Sequence, residues 1–278
     1  MKILRRLLLL LFFPLGILYL WLLRCQRRPW PEGLKEHHWF AHRGLHHQPD
    51  APENSLAAFR AALENGFGAE LDVHLMKDGH LAVIHDSSLL RTAGVDVRIE
   101  DLCAEDLKDY QLEGSEERIP LLEEVLNLFE GKTPLIIELK VVNKNHEELT
   151  AAVCRLLENY SVNYCIESFD PRVLYWLKKN RPDIIRGQLS CDMREEEGHH
   201  PLILWALTHL LSGGFTRPDF IAYDYKTRKK FPELTICRRL YGVQEASWTL
   251  RDADTAGKLR RKGNLIIFEG FMPETEEK

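Results

Sequence analysis

Apolar and polar positions along this chain follow two periods. Short apolar runs of the strand type occur in "HWFAHRG", "GAELDV", "PLIIELK", "NYCIESF", "IIRGQLS", "DFIAYDY", "VQEASWT" and "NLIIFEG". Between most of them lie stretches whose apolar residues fall three and four apart, on one face of a helix. In "NSLAAFRAALENG", Asn54 or Ser55 can cap the start, Leu56, Phe59 and Leu63 share a face, and Gly66 falls just past the end. "LLEEVLNLFEG", "HEELTAAVCRLLENY", "DPRVLYWLKKN" and "DADTAGKLRRKG" read the same way. Eight strands alternating with helices predict an α/β fold, a parallel (β/α)8 TIM barrel rather than a doubly wound sheet.

A ninth apolar run, "HLAVIHD", is separated from "ELDVHL" only by "MKDGH". A parallel partner needs a crossover of about a dozen residues, so these two runs must form an antiparallel hairpin. A two-residue turn at Asp78-Gly79 sets Asp72 opposite His85 and folds that histidine back beside the carboxylates.

The N-terminus breaks the alternation. Lys2, Arg5 and Arg6 precede an uncharged run from Leu7 to Leu23. As a helix that run spans about 25 Å, slightly short of a roughly 30 Å hydrocarbon core. Tyr19 and Trp21 suit an interfacial belt, and Arg24, Arg27 and Arg28 can snorkel. Arg24-Cys25-Gln26 is no cleavage site, so the run is expected to be an uncleaved transmembrane helix over about 7–23. Residues 1–29 would be a single-pass membrane anchor with its linker, and 30–278 the catalytic barrel. Basic residues flank the run equally, so the side of the membrane stays open.

Composition narrows the function classes. A net charge of −5 excludes a basic nucleic-acid surface. The six cysteines form no CxxC and no short spacing, so neither a zinc site nor a disulfide framework is expected. The chain length suits one large barrel. Oligomeric state is not legible.

The strands carry charges where a core wants Leu and Val. Glu70 and Asp72 are two apart and project to the same side, as do Glu138 and Lys140. His42 and Arg43 follow the first strand. Strand C-termini hold the active site in (β/α)8 enzymes, so these groups converge on one rim. Carboxylate oxygens suit one hard divalent cation, Mg2+ or Ca2+ with Mn2+ as a third option. Arg43 and Lys140 suit a phosphate, and His42 and His85 suit proton transfer at oxygen. Together they describe phosphoester hydrolysis.

At "HRG" (42–44), "PENS" (52–55), "ELDV" (70–73), "KDG" (77–79), "HD" (85–86), "IPLLEEVL" (119–126), "IELK" (137–140), "ESF" (167–169) and "WT" (248–249), the chain closely resembles the glycerophosphodiester phosphodiesterase family. The resemblance covers roughly residues 38 to 270. It implies a TIM barrel with an insertion after the second strand, here holding the hairpin and the region to about Pro120. It implies a divalent metal on Glu70, Asp72 and Glu138, His42 and His85 as the acid–base pair, and Arg43 and Lys140 on the phosphate. The implied reaction is metal-dependent hydrolysis of a glycerophosphodiester to glycerol phosphate and an alcohol. The chain departs from the family pattern at Leu250-Arg251, commonly Val-Asn, and at Glu269, where Thr-Asp is frequent.

Three other readings remain: a membrane-anchored lysophospholipase D acting on lysophospholipids, a phosphatidylinositol-type phospholipase C, and a non-catalytic barrel that binds phosphate or lipid. Other residues carry plainer expectations. Glu53 can pair with Arg43 or favour a helix start. His74 is expected to be structural, and His46-His47 and His199-His200 to lie in solvated loops. Asp224 and Glu269 are expected to support Lys140. The apolar stretch 200–214 reads as an outer helix packed on the sheet, with contact to lipid as the sharper alternative.

Overall fold

The computed structural model describes residues 13–195 and 200–274. Its strands are β1 (Trp39–Ala41), β2 (Gly68–Leu75), β3 (Leu81–Val83), β4 (Leu135–Leu139), β5 (Tyr164–Ser168), β6 (Arg186–Ser190), β7 (Phe220–Asp224), β8 (Gln244–Leu250) and β9 (Leu265–Phe268). All but β3 run parallel, and β1 pairs with both β2 and β9, so the sheet closes into the expected eight-stranded barrel. The helices are α1 (residues 13–22), α2 (Glu32–Lys35), α3 (Leu56–Glu64), α4 (Leu90–Ala93), α5 (Leu122–Phe129), α6 (His146–Leu157), α7 (Pro171–Asn180), α8 (Pro201–Thr208), α9 (Gly213–Thr216), α10 (Glu233–Tyr241) and α11 (Ala253–Arg260).

Period-two alternation divides each strand between two cores. Leu71, Ile137 and Ile166 pack outward against Phe59 of α3, Val125 of α5 and Val153 of α6. Phe40, Ile136, Cys165, Phe220 and Ala246 form a second cluster with Leu34 of α2. The Trp30 ring packs at a tilt on Phe220, centroids 5.5 Å apart, and adds to that plug. With that end filled by apolar groups, polar side chains on the same faces of β2, β4 and β5 gather toward the opposite, C-terminal end of the strands.

The hairpin is antiparallel as expected, but its register is shifted by one. Val73 pairs with Val83 and His74 with Ala82, so Asp72 meets Ile84 rather than His85. The turn spans three residues, Lys77 to Gly79, closed by Met76 N–H donating to His80 O, with Gly79 at φ 88°. A glycine in the left-handed region ends such a three-residue turn, and the extra residue moves the register. The segment after β3 builds its own core from Ile84, Leu89, Ile99, Leu107, Leu112 and Ile119, which bears out the expected insertion.

Residues 7–12 of the expected transmembrane run lie outside the described residues. Among the described residues, no helix is long and apolar enough to cross a membrane. The end of the run is held by protein instead: Leu23 is fully buried, Tyr19 Oη donates to Glu233 Oε1 at 2.9 Å, and Trp21 meets Phe215 edge-on at 4.9 Å. A segment wedged between barrel helices cannot be surrounded by lipid, so the end of the expected run, Tyr19 to Leu23, packs on the barrel instead of lying in a bilayer.

Candidate active site

The loop after β1 turns sharply, with Arg43 at φ 55°, and brings His42 and Arg43 over the C-terminal end of β2. Arg43 N–H donates to Glu70 Oε2 at 3.0 Å, and its guanidinium donates to Glu53 Oε1 at 2.9 Å and lies 3.5 Å from Asp72 Oδ2. Glu53 therefore pairs with Arg43, and it also takes Arg91 at 2.6 Å. In-register pairing of β2 with β4 sets Asp72 beside Glu138, and β4 with β5 sets Glu138 beside Glu167. Lys140 Nζ bridges Asp72 Oδ1 at 2.9 Å and Glu138 Oε1 at 2.7 Å. One carboxylate oxygen each from Glu70, Asp72 and Glu138 lies within 4.8 Å of the others, and all three residues are buried.

Arg43 and Lys140 are the permanent cations set against these four buried carboxyl groups. Burial, then Asp72, Glu138 and Glu167, push Glu70 well above the usual carboxyl range. Burial raises Asp72 too, but Lys140, His85 and Arg43 overcome it and hold Asp72 well below its ordinary value. Glu138 is pushed up to about 7 by burial against the pull of Lys140. Burial and Glu138 raise Glu167, whose Oε2 has no hydrogen-bond partner. Carboxyl groups outnumber the cations here, and a divalent ion held by Glu70, Asp72 and Glu138 would compensate the charge of their ionised forms. The donor set is all oxygen and suits a hard ion.

Each histidine is backed by a carboxylate. His42 Nδ1 lies 2.8 Å from Glu269 Oε2, and His85 Nδ1 lies 2.6 Å from Asp86 Oδ1. A carboxylate at Nδ1 places the proton there in the neutral ring and leaves Nε2 as an acceptor. Burial lowers both imidazoles from their ordinary range despite these carboxylates. His74 is structural, as expected: its ring joins Glu100 to the His85 carbonyl. The pocket floor is His42, Arg43, Glu70, His85, Glu138 and Lys140; Phe169, Leu189, Met193 and Trp248 form an apolar wall, with Arg251 at the rim.

The structure thus brings all seven predicted site residues together and corrects two supporting roles. Asp224 accepts from Lys226 N–H and Thr227 N–H, closing its own turn, and does not hold Lys140. Glu269 does not reach Lys140 either; it joins His42 to Arg251, whose Nη2 donates to Glu269 Oε2 at 2.9 Å. The two departures from the family pattern are therefore partners. His46 lies in a partly exposed loop, as expected, and that loop brings it beside His42 and Glu269. Sequence reasoning missed the role of Asn54: Ser55 caps α3, and Asn54 Nδ2 donates to Asp72 Oδ2 at 2.9 Å. It also gave no role to Glu167, although "ESF" was among the matching segments.

Fold and site define a (β/α)8-barrel enzyme with its polar centre at the C-terminal strand ends. Residues 42–268 match the Glycerophosphoryl diester phosphodiesterase family, and the chain belongs to it, a family of phosphoric diester hydrolases. A glycerophosphodiester phosphodiesterase of Bacillus altitudinis is 33% identical over 185 residues, covering 59% of this chain and 75% of that protein. The human Lysophospholipase D GDPD1 is 38% identical over 122 residues, 39% of this chain and 38% of that protein. Among solved structures, an Oleispira antarctica phosphodiesterase in complex with the product sn-glycerol-3-phosphate matches with TM-score 0.68 and 25% identity, covering 84% of this chain and 92% of that one.

Proposed function

We propose that this chain hydrolyses glycerophosphodiesters to glycerol phosphate and a free alcohol, using Mg2+ or Ca2+ held by Glu70, Asp72 and Glu138. The observation that carries this reading is the buried carboxylate triad beside two cations and two carboxylate-backed histidines. A bound divalent cation would supply Lewis-acid activation of the nucleophile and screening of phosphate charge. Arg43 and Lys140, pre-oriented by Glu53, Asp72 and Glu138, stabilise charge that builds on the phosphoryl oxygens. His42 enters neutral and its Nε2 takes the nucleophile's proton; His85 enters as imidazolium, held by Asp86 at Nδ1, and its Nε2 proton passes to the leaving alkoxide. The nucleophile is water or the neighbouring glycerol hydroxyl. Trp248 Nε1 is buried without a partner in the pocket wall and is suited to donate to the substrate.

The apolar wall favours a second reading, a lysophospholipid substrate whose acyl chain lies on Phe169, Leu189, Met193 and Trp248. We also propose that the uncharged N-terminal run attaches the chain to a membrane. The test is release of glycerol phosphate from glycerophosphocholine with Mg2+ or Ca2+, then with EDTA, alongside Glu70→Ala and His85→Ala. Loss of roughly 10²-fold or more in kcat/KM for both variants, and loss with EDTA, is expected. Full activity in EDTA or in either variant rejects the assigned site.

A further inference from the structure

α8 stands at the catalytic end of the barrel instead of lying along its wall. Ser190 Oγ, at the C-terminus of β6, donates to Leu207 O at 2.9 Å, and Met193 N–H donates to Thr208 Oγ1 at 3.0 Å. Met193 and Cys191, just before α8, line the pocket. Only Leu204 and Thr208 of α8 are buried, whereas Leu202, Ile203 and Trp205 are 70%, 51% and 48% exposed.

α1 takes root on the same flank. His209 Nδ1, directly after α8, reaches Glu233 Oε1 at 2.8 Å, and Tyr19 Oη donates to that same oxygen at 2.9 Å. The Trp205 ring lies 4.8 Å from the His209 ring. Trp21 meets the half-exposed Phe215, and a Cβ on Gly214 would come within 2.6 Å of Trp21 O, so this docking needs the glycine. Above Tyr19, α1 is apolar and exposed on every side: Phe13, Leu15, Ile17 and Leu18 all project freely. A helix apolar all round has no stable place in water. In the sequence the run continues without charge back to Leu7. Exposed Lys226 and Lys229 lie in a loop tied by Lys230 to Asp192, whose neighbour Met193 meets Thr208 at the end of α8. Apolar side chains bordered by lysines fit the headgroup and acyl boundary of an anionic bilayer.

We propose that α1 and the exposed face of α8 form one lipid-seating surface that holds the barrel with its catalytic mouth beside the bilayer. This rests on the membrane-attachment reading above and adds an orientation to it. The partner is a lipid surface, and Leu202, Ile203 and Trp205 enter it.

The experiment reconstitutes the full chain into phosphatidylcholine–phosphatidylglycerol vesicles, with and without acyl-chain bromination. Trp205 emission is isolated as the difference between wild type and Trp205→Phe. Quenching of that difference signal by brominated lipid is expected, and its loss in Leu202→Ser/Ile203→Ser supports the seat. Glycerophosphocholine hydrolysis should be unchanged in Trp205→Phe. A chain that stays with the vesicles while Trp205 remains unquenched overturns the proposal and leaves membrane attachment standing. A chain that does not associate with vesicles overturns both. Quenching without any diester hydrolysis supports the seat and rejects the activity.

Discussion

Arg251 and Glu269 look in the sequence like two unrelated departures, eighteen positions apart, from a shared pattern. In the folded chain they are one unit: Arg251 holds Glu269, and Glu269 holds His42 Nδ1. Burial pushes Glu269 up, but the hydrogen bond and charge of His42 outweigh it and bring the carboxyl down to about 2. The carboxylate is thus ionised wherever the enzyme would work and orients the imidazole throughout. Glu269→Ala should lower kcat by roughly ten- to a hundredfold, part of the ~10²–10⁴ that positioned acid–base groups supply, with KM little changed. Glu269→Gln keeps an acceptor oxygen and should recover part of that loss; steady-state kinetics on glycerophosphocholine separates the two. Equal kcat in both variants and wild type would remove Glu269 from the site. Asn54 is a second case of a residue whose local reading hid its role, because a cap candidate and a carboxylate partner have the same letter. Only the approach of β2, eighteen residues on, distinguishes them.

At the scale of elements, strand and helix assignments follow from periodicity, because each strand's inward and outward faces were already separated in the pattern. What failed were details set by one residue or one neighbour. The hairpin slipped by a residue because its turn uses three positions rather than two. The stretch 200–214 was expected on the barrel wall, yet it divides into α8 across the catalytic end and a short α9 that descends to β7. The α9 glycines are fixed by α1, which no local pattern announces. Gly214→Val should drive a side chain into the Trp21 backbone and cost about 1–3 kcal/mol. The unfolding midpoint should fall by several degrees while hydrolysis of a soluble diester persists. An unchanged midpoint would show that α1 does not dock there.

For the whole molecule, the carboxylate excess at the barrel mouth couples stability to the cation. At a concentration a hundredfold above its dissociation constant, Mg2+ or Ca2+ should stabilise the fold by about 2.7 kcal/mol. That corresponds to a rise in the thermal midpoint on the order of 5 °C, absent in Glu70→Ala. The insertion carries its own pH dependence. Burial raises Glu100, but hydrogen bonds from His74 and Ser87 prevail and bring it down from 4.5 to about 2. A carboxyl depressed in the folded state stabilises above its unfolded pKa, and that contribution is lost as pH falls from about 4.5 through about 2. Urea unfolding should show wild type more stable than Glu100→Gln at pH 6, with the gap narrowing toward pH 2; a gap independent of pH would refute it.

The barrel, its antiparallel hairpin and its seven chemistry-bearing residues could be read from the chain because each is written locally. Strand parity aims Glu70, Asp72, Glu138 and Lys140 to one side, and alternation with helices makes the strands parallel, so their C-termini share a rim. The pairings around that rim could not be read, because they join residues distant in sequence whose geometry exists only once the ring closes. Glu269 reaches His42 only because β9 lies beside β1. Glu167 reaches the triad only through the β4–β5 register, and Tyr19 meets His209 only at a carboxylate on α10. Periodicity specifies which way a side chain points; closure of the barrel specifies what it meets there.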